Sequence, residues 1–194
     1  MISCVLLLVL GTSTLPVETT AAVTEIDSMV QNCLDQDILY PARHFLGTMK
    51  PVQGPGIKSW EVFIFEETEY ELLDDDMLMS QRHYRMDCLF NHADYEIFTS
   101  FFFDIEENPV LCISTWRTEN GHSLLYEDRF YFSEGTIIAC SSDGASLRLP
   151  SDEDTQKGLD RLGYAQYVLN QIMNEPPGTP PVLFEQIEYI YAEF

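Results

Sequence analysis

Lysine is nearly absent. Lys50, Lys58 and Lys157 are the only three in 194 residues, and with seven arginines they face 32 aspartates and glutamates, a formal charge of −22. A chain this poor in cations has no basic stripe to displace counterions from phosphates or to settle on anionic lipid, which excludes nucleic acid and acidic membrane surfaces as electrostatic partners. The local signatures of common chemistry are missing too. There is no Gly-x-Ser-x-Gly, no glycine-rich phosphate loop, no Cys-x-x-Cys and no His-Glu-x-x-His, and the histidines, His44, His83, His92 and His122, are scattered. A nucleophile elbow, a phosphate cradle, a redox pair and a zinc-protease helix therefore leave no mark.

What is present is apolar and aromatic. Hydrophobic residues make up 45% and aromatic residues 12%, with twelve Phe, ten Tyr and two Trp, a composition that excludes a disordered chain. A domain of about 150 residues buries around 70% of its unfolded surface, enough for a core that needs no cofactor.

Residues 2–10, Ile-Ser-Cys-Val-Leu-Leu-Leu-Val-Leu, form an apolar run followed by a polar, small-residue stretch from Thr12 to Ala22. This is the pattern of a signal peptide, with Thr20 and Ala22 at the −3 and −1 positions of a cleavage site. The run falls short of the about 20 residues that a helical bilayer crossing takes. No Lys or Arg precedes it, and a buried first strand is the competing reading. The domain reading is a signal peptide over 1–22, a single domain over 23–175, and a Pro-rich spacer with an apolar C-terminal segment over 176–194. It implies a secreted or periplasmic protein with no membrane contact after cleavage. Strand and helix fit 182–194 equally well.

The spacing Ile26, Met29, Val30, Cys33, Leu34 predicts a helix near 24–40, with Thr24 and Asp27 resembling a capping box and Pro41 limiting it. An irregular connection through Pro51, Gly54, Pro55 and Gly56 follows, then a strand from Trp60 to Glu66 and a strongly acidic stretch to Asp76. Further strands are predicted near 82–91, 95–104, 109–118, 122–133 and 136–142. Asn120-Gly121 and Glu134-Gly135 mark tight hairpins, and Pro109 sits at a strand start. Ile97, Phe101 and Phe103 alternate with Phe98 and Phe102, and Tyr126, Phe130 and Phe132 oppose Leu125 and Tyr131, so both sheet faces are partly apolar. A second capping box, Ser151 with Asp154, opens a helix near 152–173 whose apolar side is Leu159, Leu162, Leu169 and Ile172.

Cleavage after Ala22 leaves Cys33, Cys88, Cys112 and Cys140. The three sheet cysteines fall on alternate strands of a meander, so nearest pairs are two strand spacings apart, roughly 9.6 Å, beyond the about 7 Å a disulfide spans. Cys33, on the first helix, retains a route to one of them, but buried thiols acting as small hydrophobes are the favoured reading.

Candidate binding residues are weak and few. Trp60, Tyr84, Tyr95, Trp116 and Tyr126 are candidates to line a ligand groove, although aromatic strands more often form core. Within the acidic stretch Glu66–Asp76, the carboxylates Glu69, Glu71, Asp74 and Asp76 suit Ca²⁺, but no EF-hand spacing supports them; a solvated loop steering a cationic partner is the plainer reading. His92 and Asp94 form a two-ligand spacing too small for a tight metal site. Arg82 and Arg85 are expected on opposite strand faces, each paired with a carboxylate. Strand count and export also suit an outer-membrane barrel, but Asp87, Glu127 and Asp128 interrupt any lipid-facing surface.

Together these features predict an α+β fold: an antiparallel meander of five or six strands with an N-terminal helix and a C-terminal helix packed on one face. It is loosely similar to cystatin-like helix-on-sheet domains, a likeness of architecture that assigns no residue a role. The functional expectation is an exported, non-enzymatic acidic domain that binds a protein or an apolar small ligand on its sheet face, without a cofactor. The alternatives are an enzyme with a dispersed site and a calcium-dependent structural protein.

Overall fold

A computed structural model describes residues 15–35, 43–48, 59–73, 76–91, 95–118 and 123–174, with the side chains of residues 35, 43–48, 60, 67–73, 76–81 and 171–174 also outside the description. The expectations for residues 2–10, the His92/Asp94 pair, the Asn120-Gly121 turn and 176–194 fall outside the described residues.

The fold is α+β. Helix α1 (Val17–Asp35) precedes strands β1 (Arg43–Thr48), β2 (Ser59–Leu73), β3 (Asp76–Asn91), β4 (Tyr95–Phe103), β5 (Pro109–Thr118), β6 (Leu124–Ser133) and β7 (Thr136–Ser142), and helix α2 (Asp152–Asn174) closes the order. The strands form one sheet in sequential order, every neighbouring pair antiparallel. The β6–β7 turn uses Glu134 at φ 50° and Gly135 at φ 73°, the positive pair that a type I′ turn requires. Pro109 opens β5 as expected.

Three boundaries differ from the sequence reading. β1 makes the sheet seven-stranded; at six residues and with Gly47 inside it, it carries little strand signal. The acidic stretch is not a loop: β2 and β3 stay paired from Glu66↔His83 out to Leu73↔Asp76, because Glu67, Glu69 and Glu71 alternate with Thr68, Tyr70 and Leu72 in the two-residue period of a strand. α1 starts seven residues early, just after Pro16, whose carbonyl accepts the amide of Thr20 at 2.9 Å. Thr24 is therefore mid-helix and donates its hydroxyl back to the Thr20 carbonyl at 2.8 Å.

Both sheet faces are apolar because each carries a helix. On one, Leu162, Tyr164, Ala165, Val168 and Leu169 of α2 pack on Val62, Ile64, Met86, Cys88, Phe90, Ile97, Phe101, Phe130 and Phe132. On the other, Val23, Ile26 and Val30 of α1 meet Phe102, Leu111, Tyr131 and Ala139, and the Tyr131 hydroxyl donates to Asp27 at 2.9 Å. At roughly 1.5–3 kcal/mol per fully buried large side chain, the α2 face dominates the stabilisation. Leu159, expected on the apolar side of α2, is exposed, and Arg161 takes a buried place instead. Gly158 lets the helix approach the sheet: a Cβ there would lie 2.2 Å from Ile137 Cδ1.

α2 is fastened at its first turn. The predicted capping box is present, with Ser151 N–H donating to Asp154 Oδ2 at 2.8 Å and Asp154 N–H to Ser151 Oγ at 3.2 Å. Arg148 grips the same carboxylate with both terminal nitrogens, the NH2 bond being 2.8 Å. Its own backbone pairs with Cys140 of β7 through two 3.0 Å bonds. The Arg148 guanidinium, helped by Ser151, holds the Asp154 carboxyl well below the usual carboxylate range. A folded-state pKa below the unfolded value of about 3.9 means that the contribution is complete above that pH and is lost as pH falls through and below it. Asp154→Ala is expected to cost about 1 kcal/mol, or a drop of about 2–4 °C in Tm at neutral pH. Thermal melts of wild type and variant should converge as pH falls below about 4; a constant gap would overturn this account of the clasp.

Candidate functional site

The antiparallel register sets a polar row across the α2 face. Thr99 stands opposite Ser114, Ser114 opposite Asp128, and Asp128 opposite Ser142, one residue from each of four consecutive strands. Each interrupts an apolar column: Thr99 lies between Ile97 and Phe101, and Ser114 between Cys112 and Trp116 on the same strand face. Thr99, Ser114 and Asp128 are almost fully buried. Burial demands partners, and the row supplies them: Thr99 Oγ1 and Ser114 Oγ lie 3.0 Å apart, and Ser142 Oγ donates to Asp128 Oδ1 at 2.7 Å. Arg161 of α2 is buried above this region, and its charge acts on Cys112. The row's side chains hydrogen-bond to one another in pairs; a carboxylate is a weak base for a serine hydroxyl, so Ser142 with Asp128 is no activated nucleophile.

One step further along the strands the row gives way to aromatic rings. Trp116 is opposite both Ile97 and Tyr126. The Tyr95 and Trp116 rings are stacked, 5.7 Å apart and 7° from parallel, and Tyr126 meets Trp116 edge-on at 6.1 Å and 69°. All three are half-buried, and the adjoining Leu124 and Leu125 are exposed. Burial, with hydrogen bonding to Asp128, raises the Tyr126 phenol above its ordinary value. Lys157, paired with Glu153 at 3.0 Å, flanks this end from α2.

Of the five aromatic candidates, Tyr95, Trp116 and Tyr126 come together. Tyr84 does not: it is a bulged residue of β3, skipped between Phe65↔Arg85 and Glu66↔His83, and it turns to the α1 face beside Phe65. Trp60 occupies a register position opposite Gly47 and Phe90. Among the calcium candidates, Glu69 stands opposite Ser80, Glu71 opposite Leu78 and Asp76 opposite Leu73, while Asp74 lies outside the described residues. Among the described residues no three His, Cys, Asp or Glu side chains converge as metal ligands.

The same bulge corrects the expectation for Arg82 and Arg85. The extra residue returns both to the α1 side, where Arg85 grips Asp87 through two bonds of 2.8 and 2.6 Å and lies over the rings of Phe65 and Phe102. Arg82 lines a groove of about 390 Å³ between α1, the middle of β3 and the end of β4. The sequence reading missed both the polar row and this groove, since a serine or threonine between apolar residues signals a site only once register aligns it with others.

No family model, curated protein sequence or solved structure matches the chain.

The cysteines sit as the meander geometry requires, Cys88, Cys112 and Cys140 buried on β3, β5 and β7, and none is bridged. Cys33 has no route to them, because α1 lies on the opposite face. Burial pushes the thiols of Cys112 and Cys140 up to about 12 and about 11, and Cys88 higher still. Thiolate is the reactive form, so iodoacetamide should modify Cys33 first and the three sheet cysteines only on unfolding. Peptide mass mapping after a short native pulse checks this order; early labelling of Cys112 would contradict the burial described.

Proposed function

We propose that the protein is an exported, non-enzymatic binding module whose α2-side sheet face docks a protein segment rich in basic and apolar side chains. The carrying observation is the half-buried, mutually packed row Tyr95, Trp116 and Tyr126. Stacked aromatic faces attract cations by their quadrupole as well as burying apolar surface. A chain of −22 charge adds long-range steering of a basic partner and repels its own copies.

The test uses a Trp60→Phe background, so that fluorescence reports Trp116, titrated with a short alternating Leu-Lys peptide. Saturable quenching that weakens with added salt is expected, with Trp116→Ala raising Kd by about tenfold or more. Binding of equal strength by a Trp116→Ala variant with unchanged circular dichroism would sink the proposal.

Export rests on the apolar run over residues 2–10. Cleavage after Ala22 would remove six residues from the start of α1, of which Val17 is largely exposed, and would keep Val23, Ile26 and Val30, the residues that hold the helix on the sheet. Intact mass of the protein recovered from the exported fraction should correspond to a chain beginning at Val23; recovery of full-length chain inside the cell would refute it.

A further inference from the structure

β3 runs on past the end of β4, and the mismatch leaves a ladder position to fill. Among the described residues β4 pairs with β3 only as far as Arg85↔Phe102, while β2 and β3 stay paired beyond it through Glu66↔His83. The β4–β5 turn takes the place. Its Glu107 carboxylate accepts the His83 amide at 3.1 Å through Oε1, standing in for the carbonyl that another strand residue would supply. The same oxygen lies 3.0 Å from Nδ1 of the His83 ring, so one carboxylate holds both the backbone and the side chain of a residue 24 positions away.

Glu107 reaches this position through a left-handed backbone, φ 64°, which disfavours side chains. The turn is tied to hold it there: Glu107 N–H donates to the Asp104 carbonyl at 3.0 Å, and Asp104 Oδ1 accepts the amides of Glu106 at 2.9 Å and Asn108 at 2.8 Å. Asp104 and Ile105 of the same turn line the groove opposite α1. Whatever fixes the turn therefore fixes that wall.

An imidazole is the side chain whose ordinary titration falls between about pH 5 and 8. The elements beside His83 present it with acids. Glu66 stands directly opposite on β2 and Glu107 on the turn, while Phe103 of β4 meets the ring edge-on at 4.9 Å. Arg82 and Arg85, its neighbours on β3, lie on the α1 side. A neutral ring can donate from Nδ1 without charge; an imidazolium makes the bond charge-assisted and roughly twice as strong.

We infer that His83 and Glu107 form a proton-operated latch on the β4–β5 turn, which acid tightens, together with the groove wall, and rising pH slackens. Protonation adds the attraction of Glu107 and Glu66, so the tightening is complete below the imidazole range and is lost as pH rises through it. The latch stands apart from the aromatic docking row.

Amide hydrogen exchange of the full chain, followed by NMR, reads the latch directly because Glu107 accepts the His83 amide. After correction for the intrinsic pH dependence of exchange, protection of that amide should fall about tenfold between about pH 5.5 and about pH 8, in step with the titration of the ring nitrogens. His83→Gln keeps a neutral donor and should show no such fall. Glu107→Gln keeps the acceptor, removes its charge and should flatten the profile as well. Equal protection at both pH values in the unaltered chain, a fall that does not track the ring, or one that survives in either variant overturns the inference.

Discussion

Among the described residues every strand of this sheet pairs only with its neighbours in chain order, and that sequential register is the constraint on which the rest depends. Because the side-chain period of a strand is two, a slip of one residue between β4 and β5 would send Ser114 and Trp116 to the α1 face and bring Thr115 and Arg117 under α2. The polar row and the aromatic stack exist only while the three consecutive pairings from β4 to β7 hold. Buried hydrogen bonds between Thr99 and Ser114 and between Asp128 and Ser142 in turn penalise such slips, since a shifted pairing strands each polar group against hydrocarbon.

The bulges are where the sheet departs from strict alternation and where its two faces acquire different chemistry. Skipping Tyr84 puts Arg82, Tyr84 and Arg85 on one side, so that a short basic-aromatic segment serves the α1 face alone. His83 remains on the other face, edge-on to Phe103 at 4.9 Å, with Nδ1 3.0 Å from Glu107. One inserted residue thus separates the groove from the main core, much as a hinge pin separates two leaves.

Much of this was legible beforehand, and the rest fails for identifiable reasons. The alternation of Phe98 to Phe103, the Glu134-Gly135 turn and the Ser151/Asp154 box each carry their own local physics, so meander, hairpin and helix start read directly from the residues. The thiol geometry followed from strand order alone. β1 and the full length of β2 and β3 did not, because acidic residues suggest solvent before they suggest a strand, although their alternation with Thr68 and Tyr70 was present to be read. The candidate sites were the least legible. Tyr95, Trp116 and Tyr126 were named for their ring type, but their partner row of Thr99, Ser114, Asp128 and Ser142 is defined by cross-strand neighbours 14 or 15 positions apart, and Arg161 looks like an ordinary solvent-facing helix residue until α2 is laid on the sheet.

The outer half of the β2–β3 hairpin has one further consequence. From Glu66 to Leu73 and from Asp76 to Arg82 each strand is paired only with the other among the described residues, leaving two margins of backbone with no strand partner there. Such margins are templates for fibre growth. The sequence is acidic along this stretch, so copies meeting edge to edge there would bring like charges together, a repulsion that weakens as salt or acid neutralises them.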